Sequence, residues 1–104
     1  MDISALKNLL HQGQDSVILR FGLGNALFKS GQASEAIPHL QAALEFDPEY
    51  SAAWKILGKA LVETGDKEQA IQAYEKGMAV AEKKGDRQAV KEIRVFLKRL
   101  LKKV

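Results

Sequence analysis

The chain has 104 residues, 46% of them hydrophobic and 28% charged, with eight glycines, two prolines and no cysteine. That balance suits one folded, water-soluble domain; it excludes a disordered, collagen-like or disulfide-built chain, and equally thiolate catalysis or a cysteine-held metal. The formal charge of +3 conceals an asymmetry, since residues 83–104 carry nine Lys or Arg against two acids while residues 1–82 carry seven cations against eleven acids.

The first 16 residues place Ile3, Leu6, Leu9 and Leu10 on one face of a predicted leading helix. The segment lacks a basic start and a long apolar run, so neither a secretion signal nor a membrane span is expected, and the cytoplasm is the expected compartment. Residues 17–50 then align without a gap on residues 51–84, at an offset of 34, with seven identities: Leu23/Leu57, Gly24/Gly58, Ala26/Ala60, Leu27/Leu61, Gly31/Gly65, Ala36/Ala70 and Ile37/Ile71. Two copies of one structural unit are therefore present.

Each unit reads as a helical hairpin. In the first, Asp15 or Ser16 can cap a helix whose apolar residues Leu19, Leu23 and Leu27 recur every four positions, and Gly31 stops it in the left-handed conformation. The second helix carries Ile37, Leu40, Ala43 and Leu44 and ends at Asp47-Pro48, with Pro38 expected in its first turn, where amides need no intrahelical acceptor. In the second unit Trp54, Leu57 and Leu61 form one stripe, Thr64-Gly65-Asp66 the turn, and Ala70, Tyr74 and Met78 the other stripe. No period-2 stretch competes for a strand.

These residues resemble the tetratricopeptide repeat, a 34-residue helix–turn–helix family. The match rests on Leu23, Gly24, Leu27, Ala36, Leu40, Ala43 and Pro48 in the first unit and on Trp54, Leu57, Gly58, Leu61, Ala70, Tyr74 and the small Gly77 in the second. Arg20 stands where the first unit would carry Trp. Glu82 stands where the second would carry Pro, so that helix is expected to run on to about Lys84. The resemblance implies an all-α, right-handed superhelix of antiparallel helix pairs, here of about five helices. The expected layout is a single domain, with a leading helix in 1–16, repeats at 17–50 and 51–84, and a C-terminal capping helix in 85–104. In that closing helix Ala89, Val90, Ile93, Phe96, Leu97, Leu100, Leu101 and Val104 form an apolar face opposite Arg87, Lys91, Arg94, Lys98 and Lys102.

The same resemblance implies a non-catalytic protein-interaction module or adaptor that holds a peptide on the concave face made by the first helices of each pair. The corresponding positions supply Phe21, Asn25, Phe28 and Lys29 from the first unit and Lys55, Lys59 and Val62 from the second. Phe21 and Phe28 lie two turns apart and suit apolar side chains of a partner, while the lysines suit its carboxylates. The alternative packs both aromatics on neighbouring helices and leaves the lysines in solvent. A carboxylate clamp of the kind some members use is not expected: Asn25 fits its pattern, but Phe21, Ile56, Asp86 and Val90 do not.

Catalytic signals are weak. His11 and His39 lack metal-ligand spacing and are read as solvated, the Gly58-Lys59 pair lacks the rest of a phosphate loop, and neither a cofactor nor a metal is expected. Two alternatives attach to the basic closing helix: binding of nucleic acid or an anionic membrane surface through its cations, and homodimerisation through Leu100, Leu101 and Val104, expected to lie beyond the cover of a neighbouring helix.

Overall fold

The computed structural model describes residues 2–102, and these form six helices and no strand: α1 (Ile3–His11), α2 (Val17–Lys29), α3 (Ala33–Phe46), α4 (Ser51–Glu63), α5 (Lys67–Lys84) and α6 (Arg87–Lys102). The count is six rather than about five, and it equals the sum of the expected parts: a leading helix, two helical hairpins and a closing helix. Consecutive helices pack side by side, α2 on α3, α3 on α4, α4 on α5 and α5 on α6, and the chain fills an elongated 43 × 29 × 19 Å body.

The ends of the helices follow from named side chains. Asp2 Oδ1 accepts from Ser4 N–H at 2.7 Å and Ser16 Oγ from Leu19 N–H at 3.1 Å, so Ser16, not Asp15, caps α2. The two hairpin turns are built alike. Gly31 and Gly65 adopt φ of 84° and 83°, a left-handed backbone that glycine enters without a Cβ clash. There the amides of Gln32 and Asp66 reach back to the carbonyls of Leu27 and Leu61, both at 2.9 Å. The Ser30 and Thr64 hydroxyls donate to those same two carbonyls, so the shared Ser/Thr-Gly signature of the units has one geometry.

Pro38 sits deeper than expected. It is the sixth residue of α3, and the intrahelical ladder has already begun two residues earlier with Ala36 N–H donating to Gln32 C=O at 3.0 Å. The helix tolerates it because Ser34, whose carbonyl loses an amide donor, and Pro38 itself are both exposed, on the side where water can take the missing place. The run-on of α5 to Lys84 does occur, and its end is tied down where Lys83 Nζ meets Glu49 Oε2 at 2.6 Å and Lys84 Nζ donates to the Glu49 carbonyl at 2.7 Å.

The core is aliphatic and close-fitting. Leu23, Leu27, Leu40 and Ile93 are its largest fully buried side chains. Small residues set the helix spacing: a Cβ on Gly24 would lie 2.7 Å from Leu40 Cγ, one on Gly58 would run into the Tyr74 ring, and one on Gly77 would lie 2.7 Å from Trp54 Cβ. Each repeat glycine thus faces the large residue of its hairpin partner. Trp54 is fixed further by its indole N–H, which donates to the Pro48 carbonyl at 2.8 Å.

The register changes at α6. The starts of α2 and α4 are 34 residues apart, but those of α4 and α6 are 36 apart. On that spacing buried Ile93 and Leu97 take the places of Leu57 and Leu61, and exposed Arg94 stands where Gly24 and Gly58 stand in the earlier helices. A helix approaching α6 as α3 approaches α2 would meet the Arg94 side chain in place of a glycine. Leu100, expected to be uncovered, is half-buried against Tyr74, Ile93 and Leu97. Leu101 is 57% exposed; Val104 lies outside the described residues.

Candidate protein-binding surface

The first helices of the pairs, α2 and α4, together with α6, line one side of the molecule. Exposed on it are Ile18 at 77% and Val62 at 41%, large apolar side chains left in water on otherwise well-buried helices. Phe21 and Phe28 are only half-buried, and both pack on the core; the Phe21 ring lies 4.8 Å from that of Tyr50, at 39°. The aromatics thus serve packing and still show an edge to solvent. Asn25 and Lys29 stand apart from them, at one end of a trough of about 550 Å³ between α1 and α2 whose floor includes Leu6, Leu9, Leu19, Gly22 and Ala26.

Lys55 and Lys59 are both half-buried and both have partners within the chain. Lys55 Nζ pairs with Glu92 Oε1 at 2.9 Å, and Lys59 Nζ lies 4.7 Å over the Phe96 ring. Both α4 lysines are engaged by α6, which covers the second half of the face. The Lys55 ammonium, followed by the Gln88 amide, holds the Glu92 carboxyl below its usual range. Phe96 in turn stacks on Tyr74 at 5.9 Å, and burial pushes the Tyr74 hydroxyl up to about 12. Val62 opens onto a smaller hollow of about 160 Å³ beside Phe96, Arg99 and Leu100. Nothing in the 34-residue alignment signalled these contacts, since Lys55 and Glu92 are 37 residues apart and Glu92 lies on the helix whose register slips.

A second polar cluster was also missed. Arg20, the residue in the Trp position, forks onto Asp15 with Nε to Oδ1 at 2.8 Å and Nη2 to Oδ2 at 3.0 Å, and its Nη1 lies 3.0 Å from His39 Nδ1. A guanidinium only donates, so Nδ1 accepts and the imidazole proton sits on Nε2. His39 is therefore half-buried and partnered rather than solvated, whereas His11 is exposed. Burial, and then the Arg20 charge, push the His39 pKa below its ordinary value; the Arg20 hydrogen bonds draw the Asp15 carboxyl down and raise the guanidinium. The available sequence signal was Arg20 itself, because a side chain at that position faces the partner helix of its hairpin.

A family profile described as tetratricopeptide repeat matches residues 3–51 and again residues 21–83. The chain belongs to the tetratricopeptide repeat family. A "TPR repeat-containing protein" of Pseudomonas aeruginosa is 49% identical over 100 residues, which cover 96% of this chain and 95% of that protein. The solution structure of a Bordetella parapertussis protein superposes with a TM-score of 0.85 at 50% identity, covering 97% of this chain and 88% of that one. The tetratricopeptide domain of Sgt2 from Aspergillus fumigatus gives a TM-score of 0.79 at 31% identity over 95% of this chain and 65% of that one. The all-α repeat architecture is thus shared, and tetratricopeptide domains generally mediate protein–protein interaction on a fold that is typically non-catalytic. Among the described residues no group of three or more His, Cys, Asp or Glu is placed to hold a metal, and no helix is long and apolar enough to cross a membrane.

Proposed function

We propose that this tetratricopeptide chain is a non-catalytic adaptor in the cytoplasm that takes a segment of a protein partner on the face formed by α2 and α4. Phe21, Phe28 and Val62 supply apolar contact, Asn25 an amide, and Lys29 a cation; Lys55 and Lys59 act from the second half of the face, where α6 holds them. The observation that carries the reading is the 41% exposure of Val62 together with the half-buried Phe21 and Phe28, since large apolar side chains reaching water on two successive first helices form a surface that gains by being covered.

The test is recovery of partners from the native cell by the wild-type chain and by a Val62→Asp variant, whose site lies outside the core and outside the lining of the α1/α2 trough. Loss of the recovered partners at an unchanged melting temperature is the expected result, and recovery of the same set by the variant overturns the assignment of the face.

A second reading draws on α6, whose Arg87, Lys91, Arg94, Lys98 and Lys102 are all exposed and could meet a polyanion. It is the weaker one, because Phe96, which would stack on a base, is already stacked on Tyr74. Binding to DNA or anionic vesicles that falls steeply with salt would support it. Self-association through α6 is weaker still, because Leu100 is drawn into the core and only Leu101 of the pair is exposed.

A further inference from the structure

The trough between α1 and α2 is one unit's worth of a surface that is filled everywhere else in the chain. Stepping forward by the 34-residue period, its residues Leu6, Leu19, Gly22 and Ala26 become Leu40, Ala53, Ile56 and Ala60. Those four are buried, and the helix lying across that surface is α2: its Gly24 meets Leu40, and its Phe21 packs on Tyr50, the counterpart of Ser16 at the mouth of the trough. The α2 interface with α3 and α4 therefore continues onto α1 and α2, where the covering helix is missing from the described residues. Its absence leaves Ile18 77% exposed and puts open space at Gly22, where an added Cβ meets nothing within 4 Å.

The repeats also state what fits. The covering helices α2 and α4 run 13 residues and present a glycine between leucines, Leu23-Gly24 with Leu27 and Leu57-Gly58 with Leu61, so that a large side chain of the surface can enter at the glycine. Lys29 is the one charged residue on the trough's lining, and no acid accompanies it, so an occupant with a carboxylate at that end is complementary. A second copy of this chain is a poor source. Its α2 and α4 are packed inside their own superhelix, and α6 carries Arg94 where the small residue is needed and lays its apolar face on α5.

We propose that the α1/α2 trough is a docking site for an amphipathic helix of another protein, about three to four turns long, with a small residue between large apolar ones and an acidic side chain beside Lys29. The site deepens the adaptor reading by naming the conformation and chemistry of the segment bound and by placing it beside α2. It is separable from the α2/α4 face, because Gly22 belongs to the trough and Val62 to the face.

The test uses the full chain and a capped synthetic peptide with the sequence of α4, which ends on Glu63 and carries Gly58 between its leucines. Saturable binding with Kd below about 1 mM is expected, with NMR shifts at the Leu6, Leu9, Leu19 and Ala26 methyl groups. Gly22→Leu, whose Cβ meets nothing within 4 Å and whose side chain extends into the trough, should weaken binding at least tenfold while leaving the melting temperature unchanged or higher. The peptide carrying Gly58→Leu should lose binding to the same extent, and the Val62→Asp protein should keep it. Shifts confined to α4 and α6, unchanged affinity in Gly22→Leu, or no saturable binding each overturn the proposal, and the first two leave the α2/α4 face standing. A homodimer that Gly22→Leu dissolves would give the trough to a second copy and overturn it as well.

Discussion

At its C-terminal end the molecule is closed by contacts of several kinds at once. Ile93 and Leu97 are buried beside Tyr74, Phe96 stacks on that ring, Lys59 caps Phe96, and Lys55 reaches across to Glu92. At its N-terminal end a nine-residue helix buries one residue, Leu6, and is held to the next hairpin by the exposed Lys7–Glu35 pair at 2.6 Å. The same repeat chemistry underlies both ends, and the difference comes down to single positions. Arg94 occupies the small-residue site in α6, whereas Gly22 and the uncovered Ile18 leave α2 with room for one more helix. A solenoid is sealed or left open by whether its last interface carries the side chains that continue it.

Substitutions can break this contrast, and the largest effect is expected at the buried aliphatic residue of each end. Ile93→Ala should cost about 3 kcal/mol, the range for a fully buried aliphatic side chain, and Leu6→Ala less, about 2 kcal/mol, because its short helix can settle onto the gap; urea unfolding of the two variants measures the difference, and equal losses would erase the asymmetry. Next come two glycines. Gly58→Ala drives a methyl group into the Tyr74 ring and should cost about 2 kcal/mol, while Gly22→Ala faces open space and should stabilise by up to about 1 kcal/mol through helix propensity. Opposite signs in thermal melts are the expected outcome. The Lys55–Glu92 pair should contribute only about 0.5 kcal/mol in a double-mutant cycle, since Glu92 is 40% exposed. Zero coupling would remove the ion pair from the closure of that end.

The smallest effect is set by pH and lies in the first hairpin. His39 has a lowered pKa when folded, so the unfolded chain binds its proton more readily, and stability is lost as pH falls below about 6.5 toward the folded pKa. His39→Gln should flatten the pH dependence of the melting temperature in that window. The carboxylates Asp15, Glu49 and Glu92, whose pKa values are lowered, add their own loss only at lower pH, as they protonate. A variant with the same slope as the wild type just below pH 6.5 would show that Arg20 does not need a neutral imidazole.

The hairpins were legible in the sequence because their determinants are local and repeated: Asp15 or Ser16 as a cap, Gly31 and Gly65 in the turns, and Leu23-Gly24 and Leu57-Gly58 recurring at the 34-residue offset. The run of α5 to Lys84 was legible from the missing Pro at Glu82. What escaped were pairings across helices. Lys55 and Lys59 were read as cations for a partner's carboxylates, with solvent as the alternative, because nothing local points from them to Glu92 and Phe96, 37 residues further along the chain. Arg20 was noted as a departure without its partners, since His39 lies 19 residues on and no periodicity links the two. Pro38 was placed a turn too early, because its effect depends on where the α3 ladder starts. The trough at Gly22 had no signal of its own, for an unfilled surface becomes visible only when its filled copy lies beside it.

The contrast between the ends is tested most directly by residue-resolved amide hydrogen exchange of the full chain under native conditions. If the C-terminal end is sealed and the N-terminal end open, amides around Ile93 to Leu97 exchange only through global unfolding, while those of α1 exchange by a cheaper local opening and gain protection when a helix fills the trough. Exchange in α1 as slow as in α6, or α6 opening first, would contradict the account.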